Sequence, residues 1–338
     1  MNMDEALERA AQRLADGGLV AFPTETVYGL GGDAENPEAI SAIYKAKGRP
    51  SNHPVIVHVA PEADLGYWAR QVPDEAQALV KAFWPGPLTL ILPRAPGIPS
   101  AVSGGQDSIG LRCPSHPVAQ SLLRRFAELK GGNGGVAAPS ANKFGQVSPT
   151  QAAHVHNEFP ELGEDSLLVL EGGPSQVGIE STIVDLSRLH EGIGPVLLRP
   201  GHITADELAL VLGVMPARPD VSAPRVSGSL KAHYAPRTPL VLSRRDDLGA
   251  VLAKAVARGE RVVAAVFPPV PEQSASHPEV SWHLCSSDRA EYAYRLYALL
   301  RELDSQGYDR IVMERPPVTP AWQAVNDRLG RAAAAFED

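Results

Sequence analysis

The chain has 338 residues with 44% hydrophobic and 21% charged positions, which is longer than one typical domain and ordinary for a globular protein, so two domains are expected. A formal net charge of −8 argues against a chain built to lie along nucleic-acid backbones. Cys113 and Cys285 stand far apart without a CxxC or Cys/His cluster, which excludes a disulfide framework and a zinc site and suits a reducing, cytoplasmic setting; the acidic, amphipathic N-terminus and the lack of an apolar run near ~18 residues leave no expectation of a signal peptide or membrane role.

Leu7, Ala10, Ala11 and Leu14 recur at helical spacing over residues 4–16 and stop at Gly17-Gly18, so a first helix feeds a short apolar strand at 19–22. That strand empties into residues 23–30, PTETVYGL, a loop of hydroxyls, one carboxylate and a tyrosine. Either an ordinary connection or a ligand seat fits such a loop. Asn36 as a cap, Pro37 at the first helical position and Gly48 after a basic last turn predict a helix over 37–47, whose exit presents Lys47 and Arg49.

β-Branched residues predict a buried strand at 55–59, with His58 inside it. A helix over 74–83 stops at Trp84-Pro85-Gly86-Pro87, strands follow at 88–92 and 108–112, the second ending in Arg112, and a helix lies around 117–127. The glycine run 131–135 lacks the spacing of a phosphate loop and reads as a connection to a strand at 136–138. Ser148-Pro149-Thr150 is expected at a helix start, where backbone amides suit phosphate oxygens. Strands at 181–185 and 196–199, and a helix opened by the Thr204/Glu207 capping box and closed near Gly213, complete residues 1–212 as a mixed α/β sheet with helices.

Residues 213–239 are proline-rich and read as a linker. Beyond them, strands at 240–243, 261–267 and 309–313 alternate with helices at 246–258, 288–305 and 320–335, the pattern of a smaller Rossmann-like parallel α/β domain over 240–338. It carries no glycine-rich dinucleotide fingerprint, so its topology alone implies no cofactor.

Lys47, Arg49, Arg112, Ser140, Asn142, Ser181 and Arg199 all fall at element ends. Such a set would suit a nucleoside triphosphate beside a second anionic group if it converges, and would otherwise be solvated surface charge. The segments 23–30 (PTETVYGL), 45–58 (KAKGRPSNHPVIVH), 84–92 (WPGPLTLIL), 108–117 (SIGLRCPSHP), 137–150 (AAPSANKFGQVSPT), 178–185 (GIESTIVD) and 197–201 (LLRPG), with HYAP at 233–236, resemble the YrdC/Sua5 family in its long, two-domain form.

That resemblance implies a YrdC-like N-terminal domain, a linker over the active site and a Sua5 C-terminal domain. It implies a nucleotidyltransferase reaction in which L-threonine, bicarbonate or CO2 and ATP give threonylcarbamoyl-AMP and diphosphate, with Mg²⁺, for t6A modification of tRNA. Downstream, a threonylcarbamoyl transferase machinery would take the intermediate, with a weak tRNA contact at most. By motif position the resemblance assigns Lys47 and Arg49 to catalysis. It assigns Thr26, His58, Arg112, Ala138 and Ser181 to threonine, and Arg49, His53, Ser108, Ser140, Asn142, Ser148, Arg199, Lys231 and His233 to ATP, leaving the metal ligands open. His53 stands where relatives commonly carry Asn, and Lys231 where archaeal relatives carry an aromatic residue. Two other readings remain. A hydrogenase-maturation carbamoyltransferase would need zinc-binding CxxC pairs that two isolated cysteines do not supply, and a double-stranded RNA-binding module runs against the net charge of −8.

Overall fold

The computed structural model describes residues 1–272 and 277–338. They form two compact units, residues 1–144 with 148–229, and residues 145–147 with 230–338.

The first unit contains α1 (Met3–Ala15), β1 (Leu19–Phe22), β2 (Gly29–Asp33), α2 (Pro37–Lys47), β3 (Val57–His58), α3 (Leu65–Trp68), α4 (Asp74–Phe83), β4 (Leu88–Pro93), β5 (Ser108–Arg112), α5 (Pro117–Leu129), β6 (Val136–Ala137), α6 (Ala152–Glu158), β7 (Leu167–Val169), β8 (Thr182–Asp185), β9 (Val196–Arg199) and α7 (Ala205–Leu212). Its strands make one mixed sheet in the order β7-β1-β2-β6-β3-β5-β4-β8-β9. Helix α1 packs Leu7, Ala10 and Leu14 with Leu122, Leu123 and Phe126 of α5 against Val20 and Phe22. A second cluster spans Leu30, Ile40, Ile43, Trp68, Leu79, Leu90 and Leu111. Burying such side chains contributes roughly 1.5–3 kcal/mol each.

Helix α2 has the expected ends: the Asn36 side chain accepts from Glu38 N and Ala39 N, and Gly48 closes it in the left-handed region at φ 67°. The cap fixes where Lys47 and Arg49 leave the helix. Strand β2 was not expected, because its sequence GLGGD hides the apolar alternation. It exists through close packing. A Cβ at Gly31 would lie 2.8 Å from both Phe22 Cε1 and Val136 Cγ1, so only glycine lets β1, β2 and β6 approach here. Strand β3 is shorter than expected: the Val55 amide turns to Val102 O outside the sheet, and the Val59 amide makes the last bond to β5 at Arg112 O. Strand β7 was also missed; it adds to β1 in parallel.

The second unit contains β10 (Leu240–Ser243), α8 (Leu248–Ala257), β11 (Val262–Val266), β12 (Ser281–Leu284), α9 (Arg289–Ser305), β13 (Arg310–Glu314) and α10 (Gln323–Ala334). Its sheet runs β10-β13-β11-β12 with every pairing parallel, the expected Rossmann-like form with β12 as an additional strand. At the carboxyl ends of these strands, where open α/β sheets often seat nucleotides, Glu314 is buried and paired with Arg245 at 3.1 Å. The rings of Phe267, Tyr292 and Trp322 pack there with centroids 5.4–5.9 Å apart. These side chains occupy the carboxyl ends of β11 and β13, and a cavity of about 300 Å³ lined by Leu284, Cys285, Ser286, Glu291, Tyr292 and Arg295 opens beside them at the end of β12. The HYAP segment is anchored within this unit, with Ala235 N donating to Gly145 O at 3.0 Å and Tyr234 stacked on Tyr297. Among the described residues no helix is long and apolar enough to cross a membrane.

Candidate active site

Backbone bonds in the first unit gather segments that lie far apart in sequence. Tyr28 N donates to Pro149 O at 2.9 Å, its carbonyl accepts from Ala141 N, Leu30 N reaches Pro139 O at 2.8 Å, and Val177 N donates to Glu25 O at 2.8 Å. The PTETVYGL loop is thus stitched to residues 139–149 on one side and to 177 on the other. Within it, Thr24 Oγ1 donates to Val27 O at 2.6 Å, which leaves the Thr26 hydroxyl to donate to Thr24 Oγ1 at 2.9 Å.

Arg112, at the end of β5, is buried. Its Nη1 donates to Thr26 Oγ1 at 2.9 Å and its Nε to Gly86 O at 3.4 Å. Its Nη2 meets the Glu25 carboxylate in a buried ion pair. The other Glu25 oxygen accepts from Ser115 N at 2.7 Å and Ser115 Oγ at 2.6 Å. His58 is the cross-strand neighbour of Arg112, and its Nδ1 lies 3.2 Å from Ile56 O. Burial, and then the Arg112 charge, push the imidazole down from 6.5 to about 3, so it is neutral at physiological pH. Ala138 closes the same neighbourhood, its amide bonded to Ile56 O at 3.0 Å.

A second group assembles around Lys47, which is buried at the end of α2 and donates from Nζ to Ser140 O and Asn142 O. Burial, followed by the Arg49 charge, holds its pKa well below the ordinary lysine value. Arg49 Nη2 reaches Pro54 O at 2.6 Å and Ser227 Oγ at 2.9 Å. Arg199 donates to Ser181 O at 2.9 Å, to Ser181 Oγ at 3.1 Å and to Ser227 O at 3.2 Å. Ser181 Oγ also meets Thr89 Oγ1 at 2.8 Å. Ser108 borders a narrow pocket with Ile56, Ile91, Gly110, Ile183 and Val226.

Thr26 and Arg112 are therefore in direct contact, His58 and Ala138 are close by, and Lys47, Ser140 and Asn142 form one knot. Arg49 and Arg199 are linked through Ser227, and Arg199 holds Ser181 directly. Ser148 departs from expectation. Helix α6 begins only at Ala152, and the buried Ser148 hydroxyl donates to the Glu180 carboxylate, so this stretch is not a helix start open to phosphate. His53 packs edge-on against Phe144 with ring centroids 5.4 Å apart, and burial, Arg49 and Arg225 lower its pKa, which keeps it neutral. Lys231, which is exposed, and His233, whose amide donates to Arg331 O at 3.1 Å, belong to the second unit.

Sequence reasoning left the role of Glu25 open and did not single out Glu180 or Ser227. The first two stand inside motif segments, where a carboxylate among hydroxyls and apolar residues is the available signal. Ser227 has none, lying in a proline-rich stretch. Among the described residues no group of three or more His, Cys, Asp or Glu is placed to hold a metal ion.

Comparison with known proteins gives two family matches: the Sua5/YciO/YrdC model, described as telomere recombination, over residues 12–201, and the threonylcarbamoyl-AMP synthase C-terminal domain over residues 203–334. The chain is 35% identical to the threonylcarbamoyl-AMP synthase of Pyrococcus abyssi, across 98% of this chain and 97% of that protein. It is 37% identical to the Bacillus subtilis protein of the same name, across 98% and 93%. The crystal structure of P. abyssi Sua5 complexed with L-threonine superposes with a TM-score of 0.85 at 33% identity, covering 99% of this chain and 96% of that one.

Proposed function

We propose, because the chain belongs to the Sua5/YciO/YrdC family, that it is a threonylcarbamoyl-AMP synthase, joining L-threonine, bicarbonate or CO2 and ATP into threonylcarbamoyl-AMP with release of diphosphate. The observation that carries this reading is the pairing, within one unit, of a buried arginine–hydroxyl seat at Arg112 and Thr26 with a cationic cluster of Lys47, Arg49 and Arg199. The first suits an amino-acid carboxylate and the second a triphosphate.

In this reading the threonine ammonium gives up a proton to solvent, the free amine captures CO2 with loss of a second proton, and the carbamate oxygen attacks the α-phosphorus of ATP as its bond to the diphosphate leaving group breaks. Such a displacement needs alignment and neutralised charge more than a protein nucleophile. Arg112 and Thr26 hold the carboxylate, with neutral His58, Ala138 and Ser181 shaping the rest of the threonine seat. Lys47 and Arg49 offset charge on carbamate and phosphate, while Ser140, Asn142 and Arg199 line the nucleotide side and the nucleoside sits beside Ser108. Mg²⁺ enters with the triphosphate as part of the substrate, the usual habit of an ion that keeps its water and binds phosphate oxygens.

Residues 225–227 support a closing role for the linker. Gln106 exchanges two bonds with the Arg225 backbone, Val226 packs on Ile91 and Ile183, and Ser227 rests on Arg49 and Arg199. This segment shifts when ATP enters and then shields the labile adenylate from water. The product passes to a threonylcarbamoyl transferase that modifies tRNA, in the cytoplasm. Diphosphate release is measured with threonine, bicarbonate and ATP and with each omitted in turn, without RNA. Turnover that needs all three supports the synthase. Salt-sensitive RNA binding without turnover replaces it with a binding module.

A further inference from the structure

The threonine seat contains a carboxylate that the chemistry of adenylation does not ask for. Glu25 is 6% exposed and Arg112 3%, and the two form an ion pair. Taking both charges out of water costs free energy that an apolar pair of similar volume would avoid, so stability alone does not account for the pair. The bonding is also incomplete on the arginine side. A guanidinium has five N–H donors, and the contacts to Gly86, Thr26 and Glu25 engage one nitrogen each, so donors remain for a second carboxylate. Ser115, through its amide and hydroxyl, holds the far oxygen of Glu25 and fixes the carboxylate's direction.

We propose that Glu25 is a positioning and specificity-determining residue for the amino-acid substrate, a role that rests on the proposed function. It holds the plane of Arg112 against Thr26, and its charge makes the arginine seat neutral before the substrate arrives. A simple carboxylate entering that seat leaves one uncompensated buried negative charge. An α-amino acid enters as a zwitterion, brings its own ammonium, and leaves the seat balanced. The hydroxyls of Thr26, Thr89 and Ser181 and the neutral imidazole of His58 supply no charge that would alter this count. Glu25 thus selects amino acids against carboxylates of the same outline, the direct case being 3-hydroxybutyrate, which keeps the carboxylate, hydroxyl and methyl of threonine and lacks its amine.

The test compares wild type, Glu25→Gln and Glu25→Asp in diphosphate release, measuring KM for threonine and the inhibition constant of 3-hydroxybutyrate. Glu25→Gln removes the charge and keeps the shape; the inhibition constant should fall relative to KM by about tenfold or more, as expected for a charge close to a desolvated carboxylate. Glu25→Asp keeps the charge and should preserve the wild-type ratio even where absolute rates drop. An unchanged ratio in a folded, active Glu25→Gln protein overturns the proposal, because a merely structural role weakens both ligands together. If Glu25→Gln does not fold, Ser115→Ala, which removes one of the two hydrogen bonds on the far oxygen of the same carboxylate and leaves the amide bond, carries the test. It should raise KM for threonine by about threefold or more with kcat kept, the effect of losing one hydrogen bond to a charged group, and an unchanged KM overturns the proposal. Wild type that shows no threonine-dependent turnover overturns the proposed function and this role together, whereas an unchanged ratio in active enzyme overturns this role alone.

Discussion

Acidification should destabilise the first unit through His58, and replacing that residue should remove the effect. His58 is 3% exposed, and its pKa falls from 6.5 to about 3 because burial, and then Arg112, oppose the imidazolium. A depressed folded-state pKa means that the unfolded chain binds the extra proton first, so stability is retained above about pH 6.5 and lost as pH falls towards 3. At about 1.4 kcal/mol per pKa unit the loss grows to about 3 kcal/mol between pH 7 and pH 4, and to about 5 kcal/mol below pH 3. His58→Asn keeps a polar group and cannot take up that proton. Hydrogen exchange of peptides from β1, β4 and β5, read by mass spectrometry from pH 7 to pH 4, reports the first unit separately. Wild type should lose about 3 kcal/mol more than the variant over that range. Parallel profiles for the two proteins would refute a neutral, buried His58, and with it the reading of the imidazole as an uncharged wall of the threonine seat.

Gly31→Ala places a methyl group 2.8 Å from the buried side chains of Phe22 and Val136, and overpacking of this kind costs about 1–3 kcal/mol, visible as a lowered denaturation midpoint of the first unit. A midpoint equal to wild type would contradict the close packing that explains β2. Arg112→Lys keeps the charge and loses the planar fork. We expect kcat/KM for threonine to fall by about a hundredfold, near 3 kcal/mol, with KM for ATP little changed; a comparable loss on the ATP side would move Arg112 out of the threonine seat. Gln106→Ala removes both bonds to the Arg225 backbone, so amide exchange across residues 222–228 should accelerate by roughly tenfold. Unchanged protection would mean that Val226 and Ser227 alone hold the segment.

What the sequence revealed follows from where its signals are local. Asn36, Pro37 and Gly48 mark helix α2 because caps are backbone chemistry that can be read residue by residue, and that helix delivers Lys47 and Arg49 to the site. The parallel strands at 240–243, 262–266 and 310–314 were legible as apolar runs between helices. Strand β2 was not, because its glycines answer to the neighbours Phe22 and Val136, which lie outside any local window. Ser148 looked like a helix-start hydroxyl, and a contact 32 residues away, with Glu180, decides its orientation instead. The same applies to Glu25. Its place in PTETVYGL marks it as polar in a loop, whereas its partners Arg112 and Ser115 become apparent only after β5 is paired into the sheet. Motif residues thus indicated the members of the two clusters, and tertiary contacts supplied the carboxylates and the serine that organise them.

The most direct measurement of the central claim is the mass spectrum of the nucleotide product formed from ATP, threonine and ¹³C-bicarbonate without RNA. The account predicts an adenylate carrying threonine and one ¹³C atom, formed in step with diphosphate. Diphosphate accompanied only by AMP, or an adenylate of threonine without the labelled carbon even when analysed at once, would contradict it.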